Sequence, residues 1–429
     1  MNHILKKIFI MNQSLPILSD VIQYNMCMSC GACQSFSGQK HIEMRFNDKK
    51  GYFLPEIKNS SYNTNELWEI CPGKGYPIYS MSTKLFGNDS NEYCYELGYT
   101  NLRLAATSLN NEIIKGATSG GIISTISYYL LSTRQVDGVT ATRFVYTENG
   151  PKVEDFIART KHDVLESQGS KYVPSMTNLL IELCEKEGGK YLFIGTPCQI
   201  AALRLMSEKN KTLRKIFPYT LANFCGGYRD YRHLKFLFYK YNIEPGKVVN
   251  FRFRGGGQPG TMLIETSDRN KVLAKYPEYN NFTPIPKLFR CTFCEDATGE
   301  LADFSCGDAW IERFLSDRRN WSIVFCRSSK ATLLMNELID KNLIEVQEIT
   351  KNEIIESQLE NLQSKKYRQY KRRKIYSILG KKLPSFDLIL PKTFGSYQNE
   401  IRIILGKSIL GTLYRTIKLK LSFWIPHIQ

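Results

Sequence analysis

The stretch YLFIGTPCQIAALRLM, residues 191–206, decides how this chain folds. YLFI is a short apolar run that stops at Gly195-Thr196-Pro197-Cys198, and QIAALRLM follows with helical spacing. The order is strand, tight loop, helix, and in α/β sheets the loop after a strand is where ligands sit. Moving outward, TLANF (220–224) ends in the same manner at Cys225-Gly226-Gly227. VVNFRFR (248–254) alternates before it meets Gly255-Gly256-Gly257. TMLIET and KVLAKY flank Ser267-Asp268-Arg269-Asn270, the pattern of a β-hairpin.

These segments predict a mixed α/β (α+β) fold. With 429 residues the chain has room for several units of roughly 150 residues each. Boundaries are expected at 1–85, 90–180, 181–330 and 331–429, the last unit helical and basic. A hydrophobic fraction of 42% supplies real cores and excludes a disordered or collagen-like chain. No run of about 18 apolar residues occurs, so no transmembrane helix is expected. The opening MNHILKKIFIMNQS has too few consecutive apolar residues for a secretory signal, which points to a reducing cytoplasm.

Twelve cysteines are too dilute for a disulfide scaffold, and they cluster as metal sites do. Cys27-Met-Ser-Cys30-Gly-Ala-Cys33 is C-x2-C-x2-C, a spacing that grips three corners of a [4Fe–4S] cube. The fourth ligand is often a Cys-Pro from farther along, and Cys71-Pro72 is the one Cys-Pro present. Structural zinc normally uses two separated pairs instead. Cys291-Thr-Phe-Cys294 is a lone C-x2-C, open to zinc, redox chemistry or packing. If the strands before Cys198 and Cys225 are neighbours, those two thiols emerge at one sheet edge and join the pair as a second four-thiolate site. Cys306 competes for a place in it. Cys94, Cys184 and Cys326 read as buried small hydrophobes.

Gly116-Ala-Thr-Ser119-Gly120-Gly121 opens an apolar-faced helix, where free N–H groups favour an anion such as pyrophosphate. It is neither a Walker loop nor GxGxxG; a simple helix cap is the alternative. The turn Gln168-Gly-Ser170-Lys171-Tyr172 offers a hydroxyl, a cation and an aromatic ring, suited to clamp phosphate and cover a ring. Arg252 and Arg254 alternate with Phe251 and Phe253, so both are expected on one strand face, toward phosphate or a carboxylate.

Taken in order, CMSCGAC with CPG, GATSGG, QGSKYVPS, FIGTPCQIAALR, the Cys225-Gly turn, FRFRGG, and CTFC followed by ADFSCGDAW resemble the coenzyme F420 hydrogenase/dehydrogenase beta subunit family over about residues 24–312. The resemblance implies a ferredoxin-like [4Fe–4S] segment, a flavin-binding α/β body made of the family's N- and C-terminal units, and FAD beside a cube. It makes Cys198, Cys225, Cys291 and Cys294 ligands of the flavin-side cluster. Ser119, Gly120, Gly121, Ser170, Lys171, Tyr172, Thr196 and Gln199 become FAD contacts. The chain departs from the family at FCGGY, where relatives often carry a His-Gly element, and at Cys306. Relatives with such a basic tail resemble proteins of surface-polysaccharide gene clusters.

The implied activity is a flavin-dependent oxidoreductase. It moves electrons from a ferredoxin-like donor or partner subunit through one or two [4Fe–4S] clusters to FAD and an organic substrate. A pure electron-transfer subunit is the alternative. No catalytic residue is named, because His3, His41, His162, His233 and His427 are scattered. Of the net charge of +17, +13 falls between Lys365 and Gln429, which hold fifteen Lys or Arg against Asp387 and Glu400. That concentration marks an appendage rather than the body. It contains no nucleic-acid module. The stretch IRIILGKSILGTLYRTIKLKLSFWI suits peripheral contact with the inner face of a membrane, or a helix packed on the body.

Overall fold

The structure, a computed structural model, describes residues 15–406 apart from 16, 60, 61, 90, 91, 277, 279–282, 284 and 318. The opening segment and most of the membrane-contact stretch lie outside these residues.

Fifteen strands run in chain order among the described residues. An N-terminal hairpin pairs β1 (Ile42–Asn47) with β2 (Tyr52–Ile57), and β3 (Tyr93–Cys94) pairs with β4 (Gly98–Tyr99). The centre is an eight-stranded sheet built from β5 (Leu102–Ser108), β6 (Gly138–Thr147), β7 (Gly150–Ala158), β8 (Tyr191–Gly195), β9 (Tyr219–Asn223), β13 (Phe304–Asp308), β14 (Ser322–Cys326) and β15 (Ile344–Glu348). Their order is β15-β5-β14-β13-β9-β8-β6-β7. β6, β8, β9 and β13 are parallel, and the outer strands are antiparallel. The fold is therefore mixed α/β. A separate three-stranded sheet holds β10 (Val248–Arg252), β11 (Thr261–Thr266) and β12 (Lys271–Lys275). The expected hairpin is the β11–β12 pair.

YLFIG forms β8 because buried parallel strands need continuous apolar residues; Tyr191, Leu192 and Phe193 are buried. The next residues start the helix Pro197–Lys209. Thr196 and Gln199 close its first turn reciprocally, and Pro197 takes the first helical position. Its face Ile200, Ala201, Leu203 and Met206 packs with Phe193 and Phe217 on one side of the sheet. The helix Ile122–Ser132 packs Ile122, Ile126 and Leu130 with Leu192, Leu221 and Val324 on the other. Covering both faces leaves the C-terminal edge of the parallel strands open for ligands.

Two sequence expectations change here. The chain does not become purely helical after 330, since Ile344–Glu348 completes the central sheet against β5. Nor does the basic segment begin as an appendage. Lys365, Lys366, Gln369 and Arg372 are buried, with Arg372 and Arg368 paired to Glu400. Counting charge along the chain took no account of Glu300 and Glu295, which folding brings to Lys366 and Arg373.

Candidate functional site

Cys27, Cys30, Cys33 and Cys71 line one enclosed pocket with Leu18, Val21, Met44 and Pro55. Cys27 and Cys30 lie on the turn that leads into the helix Ala32–Ser37, Cys33 in that helix's first turn, and Cys71 ends the helix Asn65–Ile70. Gly31 adopts φ +86, and a Cβ there would lie 2.7 Å from Leu179 Cγ, so this turn accepts only glycine without rearrangement. The Ser29 N–H donates to Cys27 Sγ at 3.4 Å.

The second group assembles at the open sheet edge. β8 and β9 are adjacent and parallel, so Cys198 and Cys225 leave the same edge, as the turn pattern predicts. The turn Phe289–Phe293 brings Cys291, with Cys294 just after it. Thr196 Oγ1 lies 3.2 Å from Cys198 Sγ, and the Gly227 N–H donates to Cys225 Sγ at 3.3 Å. A Cβ on Gly227 would come within 3.0 Å of Cys291 Cβ. Cys306 does not join this group. It is buried in β13, and its thiol acts on Cys326 in the neighbouring strand. Cys94, Cys184 and Cys326 are buried, as small hydrophobes are.

All twelve thiols are free. Burial pushes Cys27 up to about 12, with the charge of Cys71 adding to it. Burial and then Cys225 push Cys291 up to about 11. Cys198 rises far above the ordinary range from burial, with Cys225, Cys294 and Cys291 as its charged neighbours. Four such thiols cannot all ionise together unless positive charge is placed among them, as the iron of a cluster would place it. Among the described residues no three His, Cys, Asp or Glu side chains converge on a single ion. Four thiols lining one pocket, three of them in C-x2-C-x2-C spacing, are a donor set that fits a cluster.

Two side chains link the groups, and sequence reading missed both. Tyr228 donates its hydroxyl to the Met28 carbonyl at 2.6 Å, and its phenol is pushed up by burial and by the charges of Cys198, Cys291, Cys225 and Cys30. Arg290, fully buried and adjacent to Cys291, donates to the carbonyls of Gly73 at 3.0 Å and Pro72 at 2.9 Å, just beyond Cys71. The position of Arg290 beside a candidate ligand was the available signal.

A cleft of about 950 Å³ opens against the second group, lined by Cys225 and by Ser119, Gly121, Ser170, Lys171, Tyr172, Thr196 and Gln199. That is the upper end of small-molecule pocket size. Gly120 does not line it. Its N–H donates to Ser322 Oγ at 2.9 Å and its carbonyl accepts from Ser108, which fastens the loop to the sheet. Ser119 Oγ also donates to the Trp321 carbonyl at 2.7 Å. Gly121, at φ +72, caps the helix Ile122–Ser132 and aims its N-terminus at the cleft. Gln199 is largely committed to structure, with its amide nitrogen donating to the Ser175 carbonyl at 3.1 Å and to Ser175 Oγ at 3.0 Å.

Lys171 donates to the carbonyls of Ser167 and Gln168, and burial pulls it down to about 7 against the attraction of Asp155. The expected Arg252/Arg254 pair separates, because β10 ends at Arg252 and the chain then bends. Arg254 alone reaches the cleft, bonded to Asp308 at 2.6 Å and to the Thr118 carbonyl at 3.0 Å. Backbone glycines, a helix N-terminus, hydroxyls and two cations form a donor set that fits a phosphorylated dinucleotide such as FAD.

Residues 103–182 match the family described as coenzyme F420 hydrogenase/dehydrogenase, beta subunit N-terminal part, and residues 188–352 match its C-terminal part. The chain belongs to this family. It is 26% identical over 255 residues to the coenzyme F420 hydrogenase subunit beta of Methanococcus voltae, covering 57% of this chain and 84% of the relative. It is 22% identical over 349 residues to the coenzyme F420-dependent sulfite reductase of Methanocaldococcus jannaschii, covering 78% of this chain and 49% of that protein. A chain of the F420-reducing [NiFe] hydrogenase complex of Methanosarcina barkeri superposes with a TM-score of 0.53 at 21% identity, over 67% of this chain and 97% of its own. That likeness concerns the fold. Among the described residues no helix is long and apolar enough to cross a membrane.

Proposed function

We propose that this chain is an iron–sulfur flavoprotein oxidoreductase subunit. Cys27, Cys30, Cys33 and Cys71 would hold one [4Fe–4S] cluster, and Cys198, Cys225, Cys291 and Cys294 a second. The cleft beside the second group would hold FAD. Clusters carry single electrons and a flavin converts between one and two, so together they would join a one-electron donor to a hydride-exchanging organic substrate. The carrying observation is the juxtaposition: two groups of four free thiols linked by Tyr228 and Arg290, with the cleft opening on the second.

The protein supplies position and electrostatics. Tyr228 and Arg290 hold the groups in fixed relation, the Ser119–Gly121 loop presents a helix N-terminus to an anion, and Arg254 is oriented by Asp308. The relatives' names support a partner: the Methanococcus voltae relative is a hydrogenase beta subunit. A ferredoxin-like donor is the other candidate. A surface-polysaccharide context rests on the sequence resemblance alone.

A second reading has its own support. Trp310 and Tyr276 lie with tilted rings 5.4 Å apart in the cleft lining, and the cleft is wide, which suits a flavin served by a partner's active site. Anaerobic purification with iron, sulfide and flavin measured per chain tests the scheme. About eight irons and about one FAD are expected from two cubes and one flavin. Protein that stays colourless after reconstitution would sink it.

A further inference from the structure

Resting on the reading that Cys198, Cys225, Cys291 and Cys294 hold a cube, we infer that Lys365 is a positioning residue that raises the reduction potential of that cube through Cys294. Lys365 lies beyond both matched family regions, which end at residue 352. Its Nζ donates to Cys294 Sγ at 3.5 Å and to the Asp296 carbonyl at 2.6 Å, and the residue is 3% exposed.

Its neighbours show why this contact is chemically specific. Lys366 pairs with Glu300 at 2.5 Å, Arg372 with Glu400 at 2.9 Å, and Arg373 with Glu295 at 2.7 Å. Each has a carboxylate. Among the described residues no carboxylate hydrogen-bonds Lys365; its partners are a thiol sulfur and a carbonyl, and the charges of Cys294, Cys225 and Cys291 act on it ahead of the Asp296 carboxylate. A buried ammonium needs opposite charge close by. Thiolates holding a cluster meet that need; neutral thiols do not.

The surrounding segment fixes the contact in place. The side-chain amide of Gln369 and the guanidinium of Arg372 donate to the Thr292 carbonyl at 3.0 and 2.8 Å, and Arg373 donates to the Phe293 carbonyl at 3.0 Å. Residues 364–373 therefore clamp the turn that carries Cys291 and Cys294. Among the described residues no charged side chain donates to a thiol of the first group, where Lys74 and Arg290 act on Cys71 only through space. Reduction adds negative charge to a cluster and its sulfurs, and a cation hydrogen-bonded to one sulfur favours the reduced form.

The test is an EPR-monitored redox titration of the full chain, reconstituted anaerobically. Wild type is compared with Lys365→Met, Lys365→Gln and Lys365→Arg, and each is repeated with Cys30→Ala to isolate the second cube. The expected result is a lower midpoint for the second cube in the Met and Gln variants. The shift is on the order of tenfold in the reduction equilibrium, ~59 mV for one electron. The first cube should be unmoved and the Arg variant close to wild type. Unchanged second-cube midpoints in Met and Gln overturn the inference while leaving the proposed function standing. A wild type with no second cube overturns both. If neither neutral variant retains the cube and the Arg variant does, the charge is needed for the cube itself, which upholds the role. If Arg also loses it, the position serves packing and the inference falls.

Discussion

The two cysteine groups are enclosed by different parts of the chain. Cys27, Cys30 and Cys33 sit on one turn and the start of the helix it enters, and Cys71 comes at the end of a later helix of the same N-terminal segment. The second group draws Cys198 and Cys225 from two strand ends, Cys291 and Cys294 from a distant turn, and its cover from residues 364–373. The first can be read from spacing; the second exists only once the sheet has formed. Electrostatics differ as well. The first group receives backbone N–H donors, whereas the second also receives an ammonium.

The sharpest way to break this comparison is to remove one thiol from each group. Cys30→Ala and Cys291→Ala should each lower bound iron from about eight to about four per chain, and the remaining EPR signal should be that of the other group. Loss of all iron from Cys30→Ala would show that the groups are not separable. Next in size is Lys366→Met, which strands Glu300 in a fully buried site. Breaking such a pair costs about 3–5 kcal/mol. Urea unfolding should show that loss, and the second group should release iron at lower urea than the first.

Glycine substitutions sharpen the contrast further. Gly227→Ala forces a side chain onto φ +94 beside Cys291, and Gly73→Ala puts a Cβ 2.5 Å from Val21 Cγ1. Each should cost about 1–3 kcal/mol and reduce iron in its own group alone, as read by EPR spin counts. The smallest effect on iron belongs to neither group. Burial raises Asp155 from 3.8 to about 6, against hydrogen bonds from Thr177 and Met176. Its contribution to stability is present below about pH 4 and lost as pH rises through 6, about 3 kcal/mol across that window. Asp155→Asn should flatten that part of the urea stability-versus-pH curve and leave iron content unchanged.

What the sequence made legible followed chain distance. C-x2-C-x2-C carries its geometry in a few residues, and the strand–turn motif at Gly195 identifies a sheet edge without knowledge of the sheet. Cys198 and Cys225 could be joined because parallel neighbours share an edge. Tyr228 and Lys365 could not be found, since each acts on residues remote in sequence, and Arg290 was marked only by its place beside Cys291. Arg252 was misplaced because alternation was carried past the end of β10. Ile344–Glu348 was overlooked although Ile344 and Val346 alternate with charged residues. The basic run looked solvated because Glu295, Glu300 and Glu400, its buried partners, are spread along the chain.

The clamp over the Cys291–Cys294 turn also has a bearing on biosynthesis. A ribosome finishes every one of the eight thiols well before it makes Lys365 or Arg372. The nascent chain thus holds all four thiols of the second group before it holds the segment that covers their turn. Docking of the later helix makes residues 364–373 the last part of this site to be placed.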